Sequence, residues 1–367
     1  MTQILFAGTY TEPILFGTGQ VLQGTGKGIH AYAFDAAAGA LAPLHVNAGI
    51  RNPSYLAFDP ARRFLYCVNE YKEFEGRPSG AVSAFRIEGD SGRLTFLNQK
   101  ATHGTDPCHL IVDKTGRNLY VANFASGSVC VLPIGGDGSL GDASCVVQHE
   151  GSSVDPVRQK GPHAHAVELS NDNRFAFVPE LGVDRLMIYA TDVANGTLAP
   201  NPAQPWIAVR PGAGPRQLVM HPNGRNAYLI NELDSTMTAY AYDADSGTVA
   251  EINTLSTLPA GFAGRSSCAE VQIAPDGRHL YGSNRGHDSI AIFAIDPADG
   301  AIAAIGHEST RGAIPRNFEI DPTGAFLAAA NQDTGNIVMF RRDADSGLLS
   351  ATGSVVELGT PICVRFR

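Results

Sequence analysis

The 367-residue sequence contains no run of about 18 apolar residues and no cluster of basic residues. Without such a run, no segment has the pattern of a membrane-spanning helix. Without a basic patch, the chain lacks the features that bind anionic membranes or nucleic acid. The formal net charge of −9 is spread along the chain and opposes binding to polyanions. We therefore expect no membrane partner and no nucleic-acid partner.

Cysteines are also few, and their spacing follows no motif. The six of them form neither a CxxC pair nor the spacing of metal ligands: Cys67, Cys108, Cys130, Cys145, Cys268 and Cys363. Reduced thiols are typical of a reducing compartment. Residues 1–8 also lack the basic start and the long apolar segment of a signal peptide. The sequence thus predicts a cytoplasmic protein.

Several common catalytic motifs are missing as well. There is no G-x-S-x-G turn, no H-E-x-x-H or H-x-x-E-H pattern, and no G-x-x-x-x-G-K-[ST] loop. The glycine-rich stretch 17–27 lacks the order of a phosphate loop, so we expect it to form a flexible flap instead. These absences argue against a serine nucleophile and against zinc catalysis. We predict no cofactor and no resident metal, with a carboxylate-bound cation in a central channel left open.

The sequence does contain an internal repeat. Residues 215–224 (PRQLVMHPNG) recur as 315–324 (PRNFEIDPTG), and the same phrase returns at Pro53, Pro107, 162–165 and Cys268. Alternating apolar patterns follow each phrase. They correspond to four short strands per unit, joined by turns rich in Gly, Asp and Pro.

Equivalent positions at the ends of the second strands recur about every fifty residues. We call these seven positions the loop ring: Tyr10, Glu70, Phe124, Glu180, Glu232, Arg285 and Gln332. Four strands in about fifty residues are typical of a propeller blade, and no amphipathic helix interrupts the series. The predicted fold class is all-β, a seven-bladed β-propeller with four antiparallel strands per blade.

The two ends of the chain predict how the ring closes. Residues 4–10 match a second strand, whereas residues 361–366 match a first strand. One blade would then combine residues 1–50 with residues 358–367, which leaves no open sheet edge. We therefore predict one propeller domain over 1–367, closed by pairing of its N- and C-terminal strands.

Two rings of residues should meet at one mouth of the central channel. The first strand of each blade lines the channel, and its start shares a face with the loop ring. We call these starting positions the inner ring: Ser54, Cys108, His165, Arg216, Ala269, Arg316 and Ile362. An Asn precedes the loop-ring residue in five blades and should cap the strand end. Because the loop ring itself varies on this constant frame, it predicts a specialised site.

Five residues on neighbouring blades form the strongest candidate site: His165, Arg216, Glu232, Arg285 and Arg316. The arginines offer forked donors to a carboxylate, a phosphate or an oxyanion. A His and a Glu can share proton transfer near pH 7. Four further residues are predicted to contact the substrate: Glu180, His163, Gln332 and Lys27.

The motifs around these residues resemble the lactonase family of seven-bladed propellers along essentially the whole chain. The resemblance is carried by GAGPR at 212–216, NEL at 231–233 and PDGRHLY at 275–281 leading to Arg285. It extends to fungal carboxy-muconate lactonizing enzymes, which place a His, a Glu and arginines on the same blades. That likeness points to His165, Arg216, Glu232 and Arg285. The insertions at 11–27 and 71–80 are longer than the family pattern and could reshape the pocket.

The resemblance implies hydrolysis of a small anionic lactone derived from a sugar, with 6-phosphogluconolactone of the pentose phosphate pathway as the first expectation. His165 or Glu232 would activate water or protonate the leaving alkoxide, while Arg216 and Arg285 stabilise the oxyanion. Arg316, with Lys27, would hold a phosphate or carboxylate. Two alternatives remain: a lactonizing cycloisomerase acting on a muconate-type dicarboxylate, and a non-enzymatic binding scaffold. We expect a monomer or a weak homo-oligomer.

Overall fold

The computed structural model describes residues 3–367, so the first two positions of the predicted domain lie outside it. Seven four-stranded antiparallel sheets surround a central channel, and the predicted seven-bladed propeller is confirmed. From the channel outwards, blade 1 comprises Pro361–Phe366, Gln3–Thr9, Gly28–Asp35 and Ala40–Ala48; blade 2 Pro53–Phe58, Phe64–Asn69, Ala81–Ile87 and Leu94–Ala101; blade 3 Pro107–Val112, Asn118–Asn123, Ser128–Pro133 and Cys145–Gln148; blade 4 Glu168–Leu169, Phe175–Glu180, Arg185–Asp192 and Thr197–Pro200. Blade 5 comprises Pro215–Met220, Asn226–Asn231, Thr236–Asp243 and Thr248–Ser256; blade 6 Ser267–Ile273, His279–Arg285, Ser289–Ile295 and Ile302–Ser309; blade 7 Pro315–Ile320, Phe326–Asn331, Asn336–Arg342 and Leu349–Glu357.

Three short additions lie beside these sheets. Strand Trp206–Ala208 pairs with the third strand of blade 4. Two hairpins project from the loops, one formed by Ile14–Leu15 with Val21–Leu22 and one by Glu73–Phe74 with Arg77–Pro78. No helix among the described residues is long and apolar enough to cross a membrane.

Burial follows the position of a strand within its blade. Second strands such as Phe64–Asn69 and Phe326–Asn331 are buried at every residue, because sheets of neighbouring blades cover both of their faces. Outer strands such as Leu349–Glu357 alternate largely between half-buried and exposed residues, since only one of their faces packs inwards. The apolar core is therefore divided among the interfaces between blades.

The chain termini close the ring within blade 1, as the sequence predicts. Strand Gln3–Thr9 pairs antiparallel with Pro361–Phe366, and Leu5 lies opposite Phe366 in this ladder. Phe366 is 1% exposed and packs edge-to-face on Phe34, with ring centroids 5.1 Å apart. Phe34 in turn contacts Phe326 of blade 7, so that this apolar cluster joins the two ends of the chain to the last blade.

A repeated hydrogen bond fixes the geometry of the mouth. In five blades the first strand begins with a proline, and the carbonyl of the residue before it accepts the backbone N–H of a loop-ring residue. The donors are Tyr10, Glu70, Phe124, Glu232 and Gln332, and the acceptors are Thr360, Asn52, Asp106, Gly214 and Ile314, at 2.7–3.1 Å. This bond brings the loop ring next to the inner ring.

The asparagines that precede the loop ring cap strand ends, as expected. Asn69, Asn123, Asn284 and Asn331 each donate their side-chain amide to a backbone carbonyl, at 2.7–3.2 Å. Asn231 differs, because its amide donates to the hydroxyls of Thr236 and Thr238. The bonds of the other four asparagines satisfy backbone carbonyls at the mouth that the ladders leave free.

We predict that the closing cluster makes a large contribution to stability. Replacing a buried Phe with Ala removes apolar contacts and leaves a cavity, so Phe366→Ala should lower the free energy of unfolding by about 3–5 kcal/mol. Phe96, which is 57% exposed on an outer strand, provides the matched control. Phe96→Ala should cost less than about 1 kcal/mol in the same denaturant titration. Equal losses in the two variants would contradict this account of the closure.

Candidate active site

A cavity of about 720 Å³ lies at the predicted mouth of the channel. The loop ring contributes Glu70, Phe124, Glu232, Arg285 and Gln332 to its lining, and the inner ring contributes Cys108, His165, Arg216 and Arg316. All five residues of the candidate site therefore line one cavity. The hairpin 14–22 lies over this cavity, and Phe16 is among its lining residues.

The carboxylate of Glu232 is the centre of the charge distribution. It is 2% exposed and forms ion pairs with three arginines. Arg158 Nη2 lies 2.7 Å from Oε1, Arg285 Nη2 lies 3.0 Å from Oε2, and Arg216 Nη1 donates to Oε2 as well. Burial alone would raise the pKa of Glu232, but these guanidinium groups hold the pKa well below its usual range. Glu232 is thus ionised at neutral pH and cannot supply a proton.

The imidazole of His165 lies beside this cluster and is nearly buried. Arg216 Nη1 lies 2.5 Å from Nε2 of His165. Because a guanidinium only donates, Nε2 must be the acceptor, which leaves the ring proton on Nδ1. Burial, and then the charge of Arg216, hold the pKa of His165 well below its usual range. His165 is therefore a neutral base whose lone pair is occupied by an arginine donor.

Arg316 is held differently from the other three cavity arginines. Its guanidinium lies over the rings of Phe16 and Tyr10, 5.2 and 5.7 Å from their centroids, in cation–π geometry. Nη1 lies 3.4 Å from Oε1 of Gln332, and no ion pair within residues 3–367 involves Arg316. Its positive charge is therefore available to an anion that enters the cavity.

Glu70 provides a second carboxyl group on the opposite wall. It is 6% exposed, and its Oε2 accepts a hydrogen bond from the Tyr10 hydroxyl at 3.0 Å. Burial raises the pKa of Glu70, although Arg316 partly opposes this shift. Two carboxyl groups in one cavity thus have pKa values shifted in opposite directions by their surroundings.

Two residues predicted to contact the substrate do not reach the cavity. Glu180 is fully buried, where it pairs with Nδ1 of His149 and accepts the backbone N–H of His163. It therefore orders the segment that carries His163. Lys27 is exposed at the start of strand Gly28–Asp35, because the chain returns from the hairpin to blade 1 before reaching it.

The other two predicted contacts, His163 and Gln332, line the cavity. The ring of His163 stacks on Phe124, with centroids 4.6 Å apart, and its Nδ1 lies 3.0 Å from the carbonyl oxygen of Phe124. Gln332 donates to Asp333 and lies beside Arg316. The structure therefore places both side chains where a ligand could contact them.

Sequence comparison of the repeats did not find Arg158. It lies between blades 3 and 4, in a segment outside the repeating strands. A local turn nevertheless orients it, since Asp155 Oδ1 accepts the backbone N–H of Arg158 at 2.9 Å. Gln159, next in the chain, is buried and donates to the carbonyl of Leu181 at 2.9 Å. The sequence offers only a weak signal for Arg158, a basic residue in the long loop between blades 3 and 4.

The cavity can therefore stabilise a negative charge and move a proton within one enclosed volume. Guanidinium donors of the kind that stabilise an oxyanion line the cavity, and a neutral imidazole lies within the same cluster. Residues 3–367 contain no group of three or more His, Cys, Asp or Glu residues arranged to hold a metal ion. The six thiols are free, and burial raises the pKa of Cys108 beside His165.

Fold and site together define a β-propeller with an arginine-rich pocket at the mouth of its channel. The family described as lactonase, 7-bladed beta-propeller matches residues 4–366, and the chain belongs to this family.

Named relatives cover nearly all of the chain. It is 34% identical to the 6-phosphogluconolactonase of Bacillus subtilis, over 98% of this chain and 97% of the relative. It is 35% identical to the 6-phosphogluconolactonase of Formosa agariphila, over 94% of both chains. Among solved structures, the periplasmic gluconolactonase of Pseudomonas aeruginosa superposes with a TM-score of 0.91 at 36% identity, covering 100% of this chain and 99% of that one.

The depressed pKa of His165 predicts how stability depends on pH. As the pH falls below about 6.5, this histidine becomes protonated in the unfolded chain, whereas buried His165 in the folded protein stays neutral. This group therefore stabilises the fold above about pH 6.5, and its contribution is lost as the pH falls, by at most about 1.4 kcal/mol per pH unit. We expect His165→Gln to flatten the pH dependence of the unfolding free energy between pH 7 and 5.

Denaturant titrations at several pH values would measure this slope. His45→Gln, on an outer strand of blade 1, is the matched control, because His45 lies outside the cavity. An unchanged slope in His165→Gln would mean that the folded protein protonates His165 as readily as the unfolded chain does.

Proposed function

We propose that the chain hydrolyses a sugar-derived lactone, and that this lactone is 6-phosphogluconolactone, which yields 6-phosphogluconate. The observation that carries the proposal is the cluster of neutral His165 and ionised Glu232 held by arginines in one cavity. The names of the relatives from Bacillus subtilis and Formosa agariphila support the choice of substrate.

In the proposed reaction, water adds to the lactone carbonyl and forms a tetrahedral oxyanion. Arg216 and Arg285 donate hydrogen bonds to this oxyanion, whose charge they stabilise more strongly than that of the ground-state carbonyl. The intermediate then breaks the bond to the ring oxygen, which leaves as an alkoxide. One water is consumed, and the products are a hydroxyl group and a carboxylic acid on the same open chain. The acid ionises to a carboxylate and releases one proton to solvent.

His165 is the general base in this scheme. Without substrate, its Nε2 accepts a hydrogen bond from Arg216 and cannot take a proton from water. When Arg216 turns its donor to the substrate oxygen, Nε2 becomes free for the attacking water. The protonated imidazole can then pass that proton to the leaving alkoxide. Substrate binding thus activates the base.

Glu232 has an electrostatic role in the proposed mechanism. Three arginines hold its pKa well below its usual range and occupy both of its oxygens, so it remains an anion. It holds the guanidinium groups of Arg216 and Arg285 in place and balances part of their charge. It also stabilises the imidazolium that forms 3.9 Å away at His165.

Arg316 is proposed to bind the phosphate of the substrate. It lines the cavity, and its charge is not neutralised by a carboxylate within the described chain. Gln332 and His163 are proposed to contact the sugar hydroxyls, since each presents polar atoms to the same cavity. Lys27 has no part in this proposal because it lies outside the cavity.

We also propose a cytoplasmic location and a monomeric or weakly self-associating state. Six free thiols, five of them buried, support a reducing compartment. Cell fractionation would test the location, and recovery in a periplasmic fraction would overturn it. Size-exclusion chromatography with light scattering would test the oligomeric state, and a stable oligomer at micromolar concentration would contradict it.

Arg216→Ala tests the catalytic proposal. Loss of one oxyanion donor typically lowers kcat by about 10²–10³-fold. The assay follows freshly generated 6-phosphogluconolactone against its spontaneous decay. Arg210→Ala is the control, since Arg210 is a surface residue with a 70% exposed side chain, and it should leave the rate unchanged. No acceleration by the wild type would reject this substrate and lead to tests of unphosphorylated lactones and muconates.

Arg316→Gln separates phosphate binding from catalysis. Removing a charged donor to an anion costs about 1.5–3 kcal/mol, so KM for the phosphorylated lactone should rise by more than about ten-fold. KM for glucono-δ-lactone, which carries no phosphate, should change little. Arg86→Gln, on the third strand of blade 2, is the surface control. Equal changes for the two substrates would show that Arg316 does not bind the phosphate.

A further inference from the structure

The residue before the first-strand proline has a positive φ in five blades. These residues are Asn52, Asp106, Gly214, Ile314 and Thr360, with φ values of 40°, 51°, 64°, 60° and 43°. Each gives its carbonyl to the loop-ring N–H described above. The backbone conformation is therefore imposed by the fold and does not depend on the side chain.

Ile314 is the least suited of these residues to such a conformation. A positive φ suits glycine, whereas a β-branched side chain in this region is strained. Blade 5 has Gly214 here, whose N–H donates to Asp184 Oδ1 at 2.7 Å. Ile314 is anchored in the same way, by Asp288 Oδ1 at 2.8 Å. The two backbones thus have the same anchors, yet one carries a bulky side chain.

The other non-glycine side chains at this position have structural partners. Asn52 accepts the N–H of Thr11 and donates to the carbonyl of Glu70, and Thr360 accepts the N–H of Thr25. The carboxylate of Asp106 pairs with Lys72. Each of these bonds offsets a strained backbone.

Ile314 has no comparable partner in the core. It belongs to none of the eight apolar clusters formed within residues 3–367, and it is only half-buried. It does line the cavity, two residues before Arg316. Ile314 thus has a strained backbone at the wall of the candidate site, and core packing does not account for it. Backbone strain of this kind is typical of functional positions.

We propose that Ile314 is a specificity-determining residue, on whose apolar surface the C–H face of a bound sugar lactone packs while its anionic end reaches Arg316. The inference rests on the proposed lactonase function and extends it to one residue. Sugars present an apolar C–H face as well as hydroxyls, and burying it excludes water from the neighbouring ion pair. The apolar contact with the ligand thus accounts for an isoleucine at a position whose backbone favours glycine.

Three substitutions separate the side chain from the backbone. Ile314→Ala removes the apolar surface but keeps a Cβ at positive φ, whereas Ile314→Gly removes both. We expect both variants to raise KM for 6-phosphogluconolactone by about ten-fold, with kcat changed by less than about three-fold. Ile314→Val keeps most of the surface and should keep a KM near that of the wild type.

Stability should follow a different order from activity. Ile314→Gly should have a Tm equal to or about 1–3 °C above that of Ile314→Ala, because glycine relieves the strained φ. Arg311 is the matched control, since it has φ 58°, is exposed and does not line the cavity. Arg311→Ala and Arg311→Gly should show the same order of Tm with KM unchanged.

Three results would overturn the inference, and they are distinguishable. If the wild type hydrolyses the lactone and Ile314→Ala keeps KM within two-fold, Ile314 does not contact the substrate, and the proposed function stands. If the wild type accelerates no lactone, the proposed function fails and this inference fails with it. A KM change in Ile314→Val as large as in Ile314→Ala would also contradict the proposed packing role.

Discussion

Three guanidinium groups converge on the carboxylate of Glu232, and the arrangement of the cavity depends on this contact. Placing Arg158, Arg216 and Arg285 so close together is unfavourable unless a buried anion compensates their charge. The same contact fixes the state of His165, because Arg216 is shared between Glu232 and the imidazole. One carboxylate therefore determines which groups are charged, where the guanidinium donors lie and which imidazole is neutral.

The fold was predictable because a propeller repeats its local rules. The alternating strands, the prolines that begin first strands and the asparagines that end second strands recur in sequence. Each of these prolines follows the same backbone hydrogen bond, and four of the five asparagines donate to a backbone carbonyl. The closing blade could be read from residues 4–10 and 361–366 because each fragment matched a different part of the repeat. Alignment of the blades also brought His165, Arg216, Glu232, Arg285 and Arg316 to one mouth.

The parts of the site that sequence missed lie outside the repeat. Arg158 comes from a connection without a counterpart in other blades, and only tertiary structure shows that its turn aims it at Glu232. Glu180 occupies a loop-ring position, but His149, also from the connection between blades, binds it in the interior. Lys27 follows an insertion whose hairpin returns the chain to blade 1. Its closeness in sequence to the cavity-lining residues 15–22 therefore did not reveal that it lies outside the cavity. Such positions depend on contacts between segments far apart in the chain.

The closure of blade 1 has a consequence for the order of biosynthesis. The strand Pro361–Phe366 is made after the other strands of the propeller, yet it pairs with Gln3–Thr9, the first of them to be made. Until that pairing occurs, strand Gln3–Thr9 keeps an unpaired edge and blade 7 has no neighbour across the gap. A partly synthesised propeller thus exposes an unpaired strand edge on blade 1 and an uncovered apolar face on blade 7. The pocket is fully enclosed only after the last strand has been made and has paired.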